Sequence, residues 1–83
     1  MVVSPLAYNE RAGLCVACPI TSRAKGFLFE VPIPEGYGVS GVVLADHVRC
    51  LSWIERRAEV RGAAPPGVLE DVRERIAALI EID

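Results

Sequence analysis

The feature that most constrains the fold is a pair of strand-like segments separated by a short polar loop, within residues 15–31. The first apolar run ends at Pro19 and Ile20, and residues 21–25 then carry two hydroxyls and two cations. Gly26 permits a turn, after which the side chains alternate with the period of a strand. A loop of hydroxyls and cations mounted on two strands is suited to bind an anion such as a phosphate.

Short apolar segments elsewhere in the chain predict further strands. Residues 1–4 are typical of a strand end, which Pro5 terminates, and residues 5–13 are predicted to form a loop. Prolines and glycines between Pro32 and Gly41 predict a long surface connection. The other predicted strands are residues 14–19, 27–31, 41–44 and 48–54, with residues 56–60 as a charged edge strand.

A helix is predicted near the end of the sequence, at about residues 66–81. Two prolines and Gly67 precede it, as helix starts prefer, and Asp71 and Arg75 are spaced as an i,i+4 ion pair. The apolar positions recur at three- and four-residue steps, at Val68, Leu69, Val72, Ile76, Leu79 and Ile80. This stripe is predicted to pack on a sheet, and in a dimer it could also contact a partner helix.

Together these patterns predict one domain over residues 1–83, mainly β in an α+β arrangement. We expect a small, strongly bent antiparallel sheet or barrel, with strands within residues 1–60 and a C-terminal α-helix docked on it. The formal net charge of −2 does not by itself indicate a nucleic-acid partner. Cations outnumber acids between residues 11 and 61, so a basic face could meet RNA, although on charge alone an ordinary soluble surface is the favoured interpretation.

The sequence also carries signals about location. No apolar run approaches the roughly 20 residues that cross a bilayer, and no secretory signal opens the sequence. Three cysteines, an odd number in a small chain, fit a reducing cytosol better than a disulfide scaffold. We therefore expect a cytoplasmic protein with no membrane partner.

Cys15 and Cys18 form a C-x-x-C spacing, which raises redox and zinc chemistry as alternatives. Residues three apart on a strand face opposite sides, with α-carbons about 10 Å apart, whereas a disulfide needs less than about 7 Å. With one histidine and no second C-x-x-C, a four-ligand zinc site lacks partners. Buried structural thiols are the favoured interpretation, and we expect no metal and no cofactor.

Three segments carry a resemblance to a known family. They are residues 2–9 (VVSPLAYN), residues 19–26 (PITSRAKG) followed by 29–31 (FEV), and residues 41–49 (GVVLADHVR). Their order and spacing resemble the MazF/PemK family, the sequence-specific RNA-cutting toxins of bacterial toxin–antitoxin pairs. Any one segment alone would be weak evidence, whereas three in order are fairly specific.

The resemblance implies a fold, an activity and partners. The implied fold is a small SH3-like barrel with helices, and the implied assembly is a homodimer that a small antitoxin inhibits. The implied activity is metal-independent endoribonuclease cleavage of single-stranded mRNA, which leaves a 2′,3′-cyclic phosphate and a 5′-hydroxyl. In this reaction the 2′-hydroxyl of the RNA attacks the adjacent phosphate, and preorganised donors steady the developing charge.

The resemblance assigns the catalytic hydroxyl of the phosphate-binding loop to Thr21, with Ser22 and Lys25 as RNA-binding neighbours. The alternative for Thr21 is a turn hydroxyl that bonds its own backbone. Lys25 is equally well explained as a solvated cation, and Arg23 is interpreted as solvated. These assignments come from the family, since the loop composition alone favours the turn interpretation.

Asp46 and His47 occupy the position of a polar pair that reads RNA bases in the family. The alternatives are a half-buried histidine on a strand and an aspartate that accepts backbone bonds. As strand neighbours the two are expected to point in opposite directions, which disfavours an acid–base pair. Trp53 is interpreted as a core residue in preference to a base-stacking one, and Arg56, Arg57 and Arg61 as phosphate contacts or an exposed edge.

The sequence departs from the family pattern before Val2. Family members carry a further strand hairpin there, and an Arg-Pro pair whose arginine is catalytic, so the domain is expected to be N-terminally incomplete. Either the true start lies upstream of Met1 or the chain is a truncated relative. The first alternative makes it an RNA-cutting toxin. The second makes it a non-catalytic homologue that dimerises and binds an antitoxin peptide. Under either alternative, we expect weak or no cleavage by the 83 residues alone.

Overall fold

The computed structural model of the protein describes residues 1–55 and 64–81. These form short strands and two α-helices, with one 3₁₀ turn between the fourth and fifth strands. In chain order the elements are α1 (Leu6–Ala12), β1 (Leu14–Ala17), β2 (Ile20–Thr21), β3 (Glu30–Pro32), β4 (Val42–Leu44), the 3₁₀ turn (Ala45–His47), β5 (Arg49–Ser52) and α2 (Val68–Leu79).

The strands form two antiparallel sheets. One sheet pairs β1 with β5, and the other has the order β2–β4–β3. The prediction of a mainly β fold with bent antiparallel sheets and a C-terminal helix is confirmed. In the described ranges, no helix is both long and apolar enough to cross a membrane.

The central strand β4 is paired along both edges and carries buried side chains on both faces. Val43 pairs with Ile20 on one side and Val31 on the other, while Val42 pairs with Thr21 and Pro32. Because directly paired residues share a face, Val43 and Val31 face one way, and Thr21 and Val42 face the other. Val43 is fully buried and Val42 nearly so. The sheet therefore presents a core face and an opposite face that bears Thr21.

The core lies between the core face of this sheet and helix α2. Its buried residues are Val3, Cys18, Val31, Val43, Ala45, Val68 and Val72. The predicted apolar stripe of α2 is therefore packed inward over its first part, whereas Leu79 and Ile80 at its end are exposed. Two arginines fasten the helix: Arg73 Nε donates to the carbonyl of Val3 at 2.8 Å, and Arg75 Nη1 donates to the carbonyl of Leu28. Within the helix, Arg75 pairs with Asp71 at 3.2 Å, as predicted.

The predicted loop at residues 5–13 is wrong, because Leu6–Ala12 is helix α1. A helix this short is not stable alone, and one long-range hydrogen bond, from Trp53, helps to hold it. The carbonyl of Asn9 accepts from Gly13 N at 3.1 Å and from Trp53 Nε1 at 2.8 Å, and Trp53 is half-buried. The hydroxyl of Ser4 donates to Asn9 Oδ1 at 2.5 Å.

Other predicted boundaries shift in the structure. Residues 1–4 contribute an isolated bridge, Val2 to Ala17, and not a regular strand. The strand predicted from residue 27 starts only at Glu30, because a turn closes there with Glu30 N donating to Phe27 O at 3.1 Å. The predicted edge strand at residues 56–60, with its arginines and Arg61, lies outside the described residues.

Candidate functional site

Residues 22–29, here called the crossover loop, connect β2 to β3 on either side of β4. Both strands are antiparallel to β4, so they run parallel to each other and the loop must return along the length of β4. It starts where Thr21 pairs with Val42 and ends where Glu30 pairs with Leu44. The crossover loop therefore spans the sheet from one end of β4 to the other.

Thr21 is the last residue of β2 and is half-buried. Its Oγ1 accepts a hydrogen bond from the backbone N–H of Arg23 at 3.1 Å, so the turn interaction considered as an alternative is present. A threonine hydroxyl that accepts one bond still has its own proton to donate. The turn therefore fixes the position of the oxygen and leaves the hydroxyl able to donate to an anion.

Ser22 and Lys25 are exposed on the crossover loop. The carboxylate of Glu30 holds the backbone of the loop, because it accepts hydrogen bonds from Lys25 N at 3.0 Å and from Gly26 N at 3.0 Å. Sequence inspection gave no role to Glu30, because a contact from a side chain to backbone amides leaves no signal in the residue types. The structure thus joins Thr21, Ser22 and Lys25 in one ordered segment.

Asp46 and His47 lie in the 3₁₀ turn, not in a strand as predicted. Successive side chains in a 3₁₀ turn are about 120° apart and not on opposite faces, so the two approach each other. Asp46 Oδ1 is 3.8 Å from His47 Nε2, and both side chains are exposed. The expectation that they point in opposite directions is wrong, although 3.8 Å is too long for a hydrogen bond.

The pair lies at the other end of β4 from Thr21. The rise per residue of a strand and of a 3₁₀ turn gives a distance of about 12 Å along the sheet from Thr21 to Asp46. The end of the crossover loop meets the turn there, since Ala45 N donates to Phe29 O at 3.0 Å. The predicted site residues therefore border one loop, with the hydroxyls at one end and the Asp46–His47 pair at the other.

A cleft of about 320 Å³ opens beside this region. It is lined by Met1, Ala17, Cys18, Pro19, Arg49 and Leu51. The walls present both apolar and polar surface, and Arg49 supplies one exposed guanidinium, on the β5 strand next to β1. The position of Arg49 at the cleft could not be predicted from residue spacing, because the pairing of β1 with β5 is what brings it there.

The cysteines are free thiols in the structure. Cys15 and Cys18 are buried and Cys50 is exposed, so the interpretation of the C-x-x-C pair as buried thiols is confirmed. Cys18 lies just past the end of β1, and its Sγ faces the carbonyl of Ala45 at 4.0 Å. Burial raises the pKa of the Cys18 thiol, which keeps it neutral and unreactive.

Known proteins similar to this chain agree on one family. The family model described as PemK-like, MazF-like toxin of type II toxin–antitoxin system matches residues 1–80. The Endoribonuclease toxin MazF of Escherichia coli (strain K12) is 38% identical over 80 residues, which are 96% of this chain and 71% of that protein. The Endoribonuclease toxin ChpB of the same strain is 34% identical over 86 residues, covering 98% of this chain and 72% of that protein.

Solved structures give the same result. The MazE–MazF complex (Form-III) from Deinococcus radiodurans matches with a TM-score of 0.94 and 54% identity, over 100% of this chain and 84% of that one. The MazF structure (Form-I) from the same organism matches with a TM-score of 0.93 and 55% identity, over 99% of this chain and 74% of that one. The resemblance carried by the three sequence segments is confirmed, and the chain belongs to the PemK-like, MazF-like toxins of type II toxin–antitoxin systems.

Proposed function

We propose that the protein is the toxin of a toxin–antitoxin pair and acts as a sequence-specific endoribonuclease on single-stranded mRNA. The observation that carries this proposal is the placement of Thr21. Its side-chain oxygen accepts a hydrogen bond from Arg23 N–H at 3.1 Å, at the start of a loop that exposes Ser22 and Lys25. Such preorganised donors suit a phosphate whose charge increases during reaction. Membership of the toxin family supports the same activity.

In the proposed reaction a 2′-hydroxyl of the RNA attacks the adjacent phosphorus. The new bond forms between the 2′-oxygen and phosphorus, and the bond from phosphorus to the 5′-oxygen breaks. The 2′-proton is removed and the leaving 5′-oxygen gains a proton, so the products are a 2′,3′-cyclic phosphate and a 5′-hydroxyl. Thr21 donates to a non-bridging oxygen of the pentacovalent phosphorus, while Ser22 and Lys25 bind the flanking phosphates. The resemblance assigns the proton transfer to an arginine that family members carry before the segment matched here by residues 2–9, so this step is assigned to no residue within residues 1–83.

Recognition of the RNA sequence is proposed to come from the other end of the crossover loop. Asp46 and His47 are exposed and carry donors and acceptors that can read the edges of unstacked bases. Arg49, two residues after His47, supplies a cation in the adjacent cleft of about 320 Å³. A cleft with some apolar surface and one guanidinium suits a base and its phosphate.

The proposed partners are a cognate antitoxin and a second copy of the chain. The similar structures from Deinococcus radiodurans include complexes of MazE with MazF, which supports an antitoxin partner for this chain. We place the protein in the cytoplasm, where its mRNA substrate is found. Size-exclusion chromatography with light scattering, with and without the antitoxin, tests this assembly.

The activity is tested with protein expressed from the full reading frame that contains this sequence. Single-stranded RNA should be cut with EDTA present, and mass spectrometry of the products should show cyclic phosphate and 5′-hydroxyl ends. Thr21→Ala should lower the rate about tenfold or more, the loss expected for one charge-stabilising donor. Thr21→Ser, which keeps the hydroxyl, is the matched control and should retain most activity.

Three results would contradict the proposal. Cleavage that requires Mg²⁺ would contradict the proposed metal-independent reaction. Equal cleavage rates for Thr21→Ala and wild type would show that Thr21 takes no part in the reaction. A protein that binds antitoxin and dimerises but cuts no RNA would be the non-catalytic homologue.

A further inference from the structure

The carboxylate of Glu30 is bound to the backbone of the crossover loop. Lys25 N donates to Oε1 at 3.0 Å and to Oε2 at 3.1 Å, and Gly26 N donates to Oε1 at 3.0 Å. Consecutive N–H groups that converge on one anion form a nest, and Gly26 allows it with a φ of +77°. The Lys25–Gly26 nest is therefore filled by a side chain of the protein itself.

Glu30 occupies the right place to set the geometry of the site. It follows the crossover loop directly, as the first residue of β3, and pairs with Leu44 of β4. By the alternation of strand side chains it lies on the same face of the sheet as Thr21. A rigid connection thus runs from the sheet through Glu30 to the backbone of Lys25, on the face that bears the hydroxyl.

The returning end of the crossover loop is fastened separately. Arg75 of helix α2 donates through Nη1 to the carbonyl of Leu28, and its Nε is held by Asp71 at 3.2 Å. Phe29 O accepts from Ala45 N at 3.0 Å. These contacts fix residues 28 and 29, whereas Glu30 fixes residues 25 and 26. The section of the loop that carries Lys25 therefore depends on Glu30.

We propose that Glu30 is a positioning residue for RNA binding, which holds the Lys25–Gly26 nest so that the Lys25 ammonium meets a backbone phosphate. This inference rests on the proposed function. A carboxylate next to a phosphate-binding loop weakens the attraction for anions, so its presence there needs a compensating role. Glu30 fills that role by ordering the loop before RNA binds. The entropic cost of ordering the backbone then does not reduce the free energy of RNA binding.

The opposite role follows from the same geometry and gives the proposal its test. If Glu30 merely occupied a nest that RNA phosphate later fills, it would compete with RNA, and its removal would tighten binding. If it positions the loop, its removal weakens binding. The two roles predict opposite signs for the change in RNA affinity.

The experiment compares Glu30→Ala, Glu30→Gln and Glu30→Asp with the matched control Glu35→Gln, an exposed acid in the following connection. The first readout is amide hydrogen exchange at Lys25 and Gly26, followed by NMR. The second is the affinity for a single-stranded oligonucleotide that lacks the attacking 2′-hydroxyl, together with kcat and KM on cleavable RNA. Thermal unfolding reports global stability.

We expect Glu30→Ala to speed exchange at both amides about tenfold and to weaken oligonucleotide binding by a similar factor. KM should rise more than kcat falls, and the melting temperature should change little. Glu30→Gln keeps one acceptor oxygen and should lie between, while Glu30→Asp is one methylene too short and should resemble alanine. Glu35→Gln should match wild type in every readout.

Tighter binding by Glu30→Ala would overturn the proposal in favour of competition. Unchanged exchange at Lys25 and Gly26, or faster exchange with unchanged RNA affinity, would also overturn it. Absence of cleavage by wild type would contradict the proposed function, whereas the exchange and binding data would still decide the role of Glu30.

Discussion

The backbone of Gly41 lies against the backbone of Thr21, with no room for a side chain between them. A Cβ at position 41 would sit 2.8 Å from the carbonyl carbon of Thr21 and 2.9 Å from Ser22 Cα, closer than real Cβ contacts allow. The φ of Gly41 is +116°, a conformation that other residues rarely adopt. The glycine that precedes β4 therefore allows the backbone that carries the proposed catalytic hydroxyl to lie where it does.

We predict that Gly41→Ala lowers RNA cleavage by about tenfold or more, because Thr21 and Ser22 must move to admit the methyl group. The matched control is Gly36→Ala. Gly36 has a similar φ of +98°, but a Cβ there would meet nothing within 4 Å. Both variants incur backbone strain of about 1 kcal/mol or more. The cleavage rates and melting temperatures of the two variants should be compared. Backbone strain is common to both variants, whereas displacement of Thr21 and Ser22 is expected only in Gly41→Ala.

Equal loss of activity in the two glycine variants would contradict this account, since strain alone would then explain the effect. A Gly41→Ala protein with full activity would show that Thr21 tolerates displacement, and hence that its position is not critical.

Lys25 is expected to contribute more to RNA binding than Arg23, although both are exposed cations on the crossover loop. The backbone N–H of Lys25 is held by both carboxylate oxygens of Glu30, at 3.0 and 3.1 Å, whereas the backbone N–H of Arg23 makes one bond, to Thr21 Oγ1 at 3.1 Å. We predict that Lys25→Ala weakens RNA affinity about tenfold. It should also reduce the slope of log affinity against log salt by about 0.7, the value for one phosphate contact on a single strand.

Arg23→Ala is the control, because it removes the same charge from the same loop. Binding should be measured by fluorescence anisotropy from 50 to about 300 mM salt, the range in which phosphate contacts are resolved. Equal effects of the two variants would mean that Lys25 acts only through the general charge of the loop.

Periodic signals made parts of this fold predictable from sequence. Val68 and Val72 stand on a helical stripe after a proline breaker, and Val42–Leu44 is a short apolar strand bounded by a glycine, so α2 and β4 were recognised. Helix α1 was missed because Pro5, Asn9 and Gly13 are typical of loops. The helix Leu6–Ala12 is supported by a hydrogen bond from Trp53 to Asn9, 44 residues apart, which local sequence cannot reveal.

The candidate site was predictable only through family resemblance. Thr21 in a polar loop carries no signal that separates a catalytic hydroxyl from a turn hydroxyl, and the structure shows it making the turn bond. The contacts that position it were invisible for different reasons. Gly41 approaches Thr21 only after the two strands pair, and Glu30 acts on backbone amides, which every residue type shares.

Val72 is expected to be the main anchor of helix α2 on the sheet. It is fully buried in the core, whereas Leu79, on the same apolar stripe, is 40% exposed. We predict that Val72→Ala lowers the free energy of unfolding by about 2 kcal/mol, from lost burial and the cavity left behind. Leu79→Ala should cost less than about 1 kcal/mol.

Urea denaturation followed by circular dichroism measures both values, and the slope of the free energy against urea should stay constant. Equal losses in the two variants would show that the end of α2 is buried in solution, as it would be if a second chain covered Leu79.

The three cysteines are predicted to differ sharply in reactivity. Cys50 is exposed, whereas Cys15 and Cys18 are buried, so only Cys50 should react with DTNB in the folded protein. The thiolate is the reactive form, and burial raises the pKa of Cys18, so less thiolate exists at any given pH than for a free thiol. Raising the pH within the range where the fold persists should therefore leave Cys18 slow.

Cys50→Ser is the control for this measurement. It should abolish the fast phase in native buffer and leave two thiols that react only in denaturant. Fast reaction at Cys15 or Cys18 in the folded Cys50→Ser protein would contradict the burial of these thiols. It would also reopen the thiol–disulfide interpretation of the C-x-x-C pair, because an accessible thiolate is what that chemistry requires.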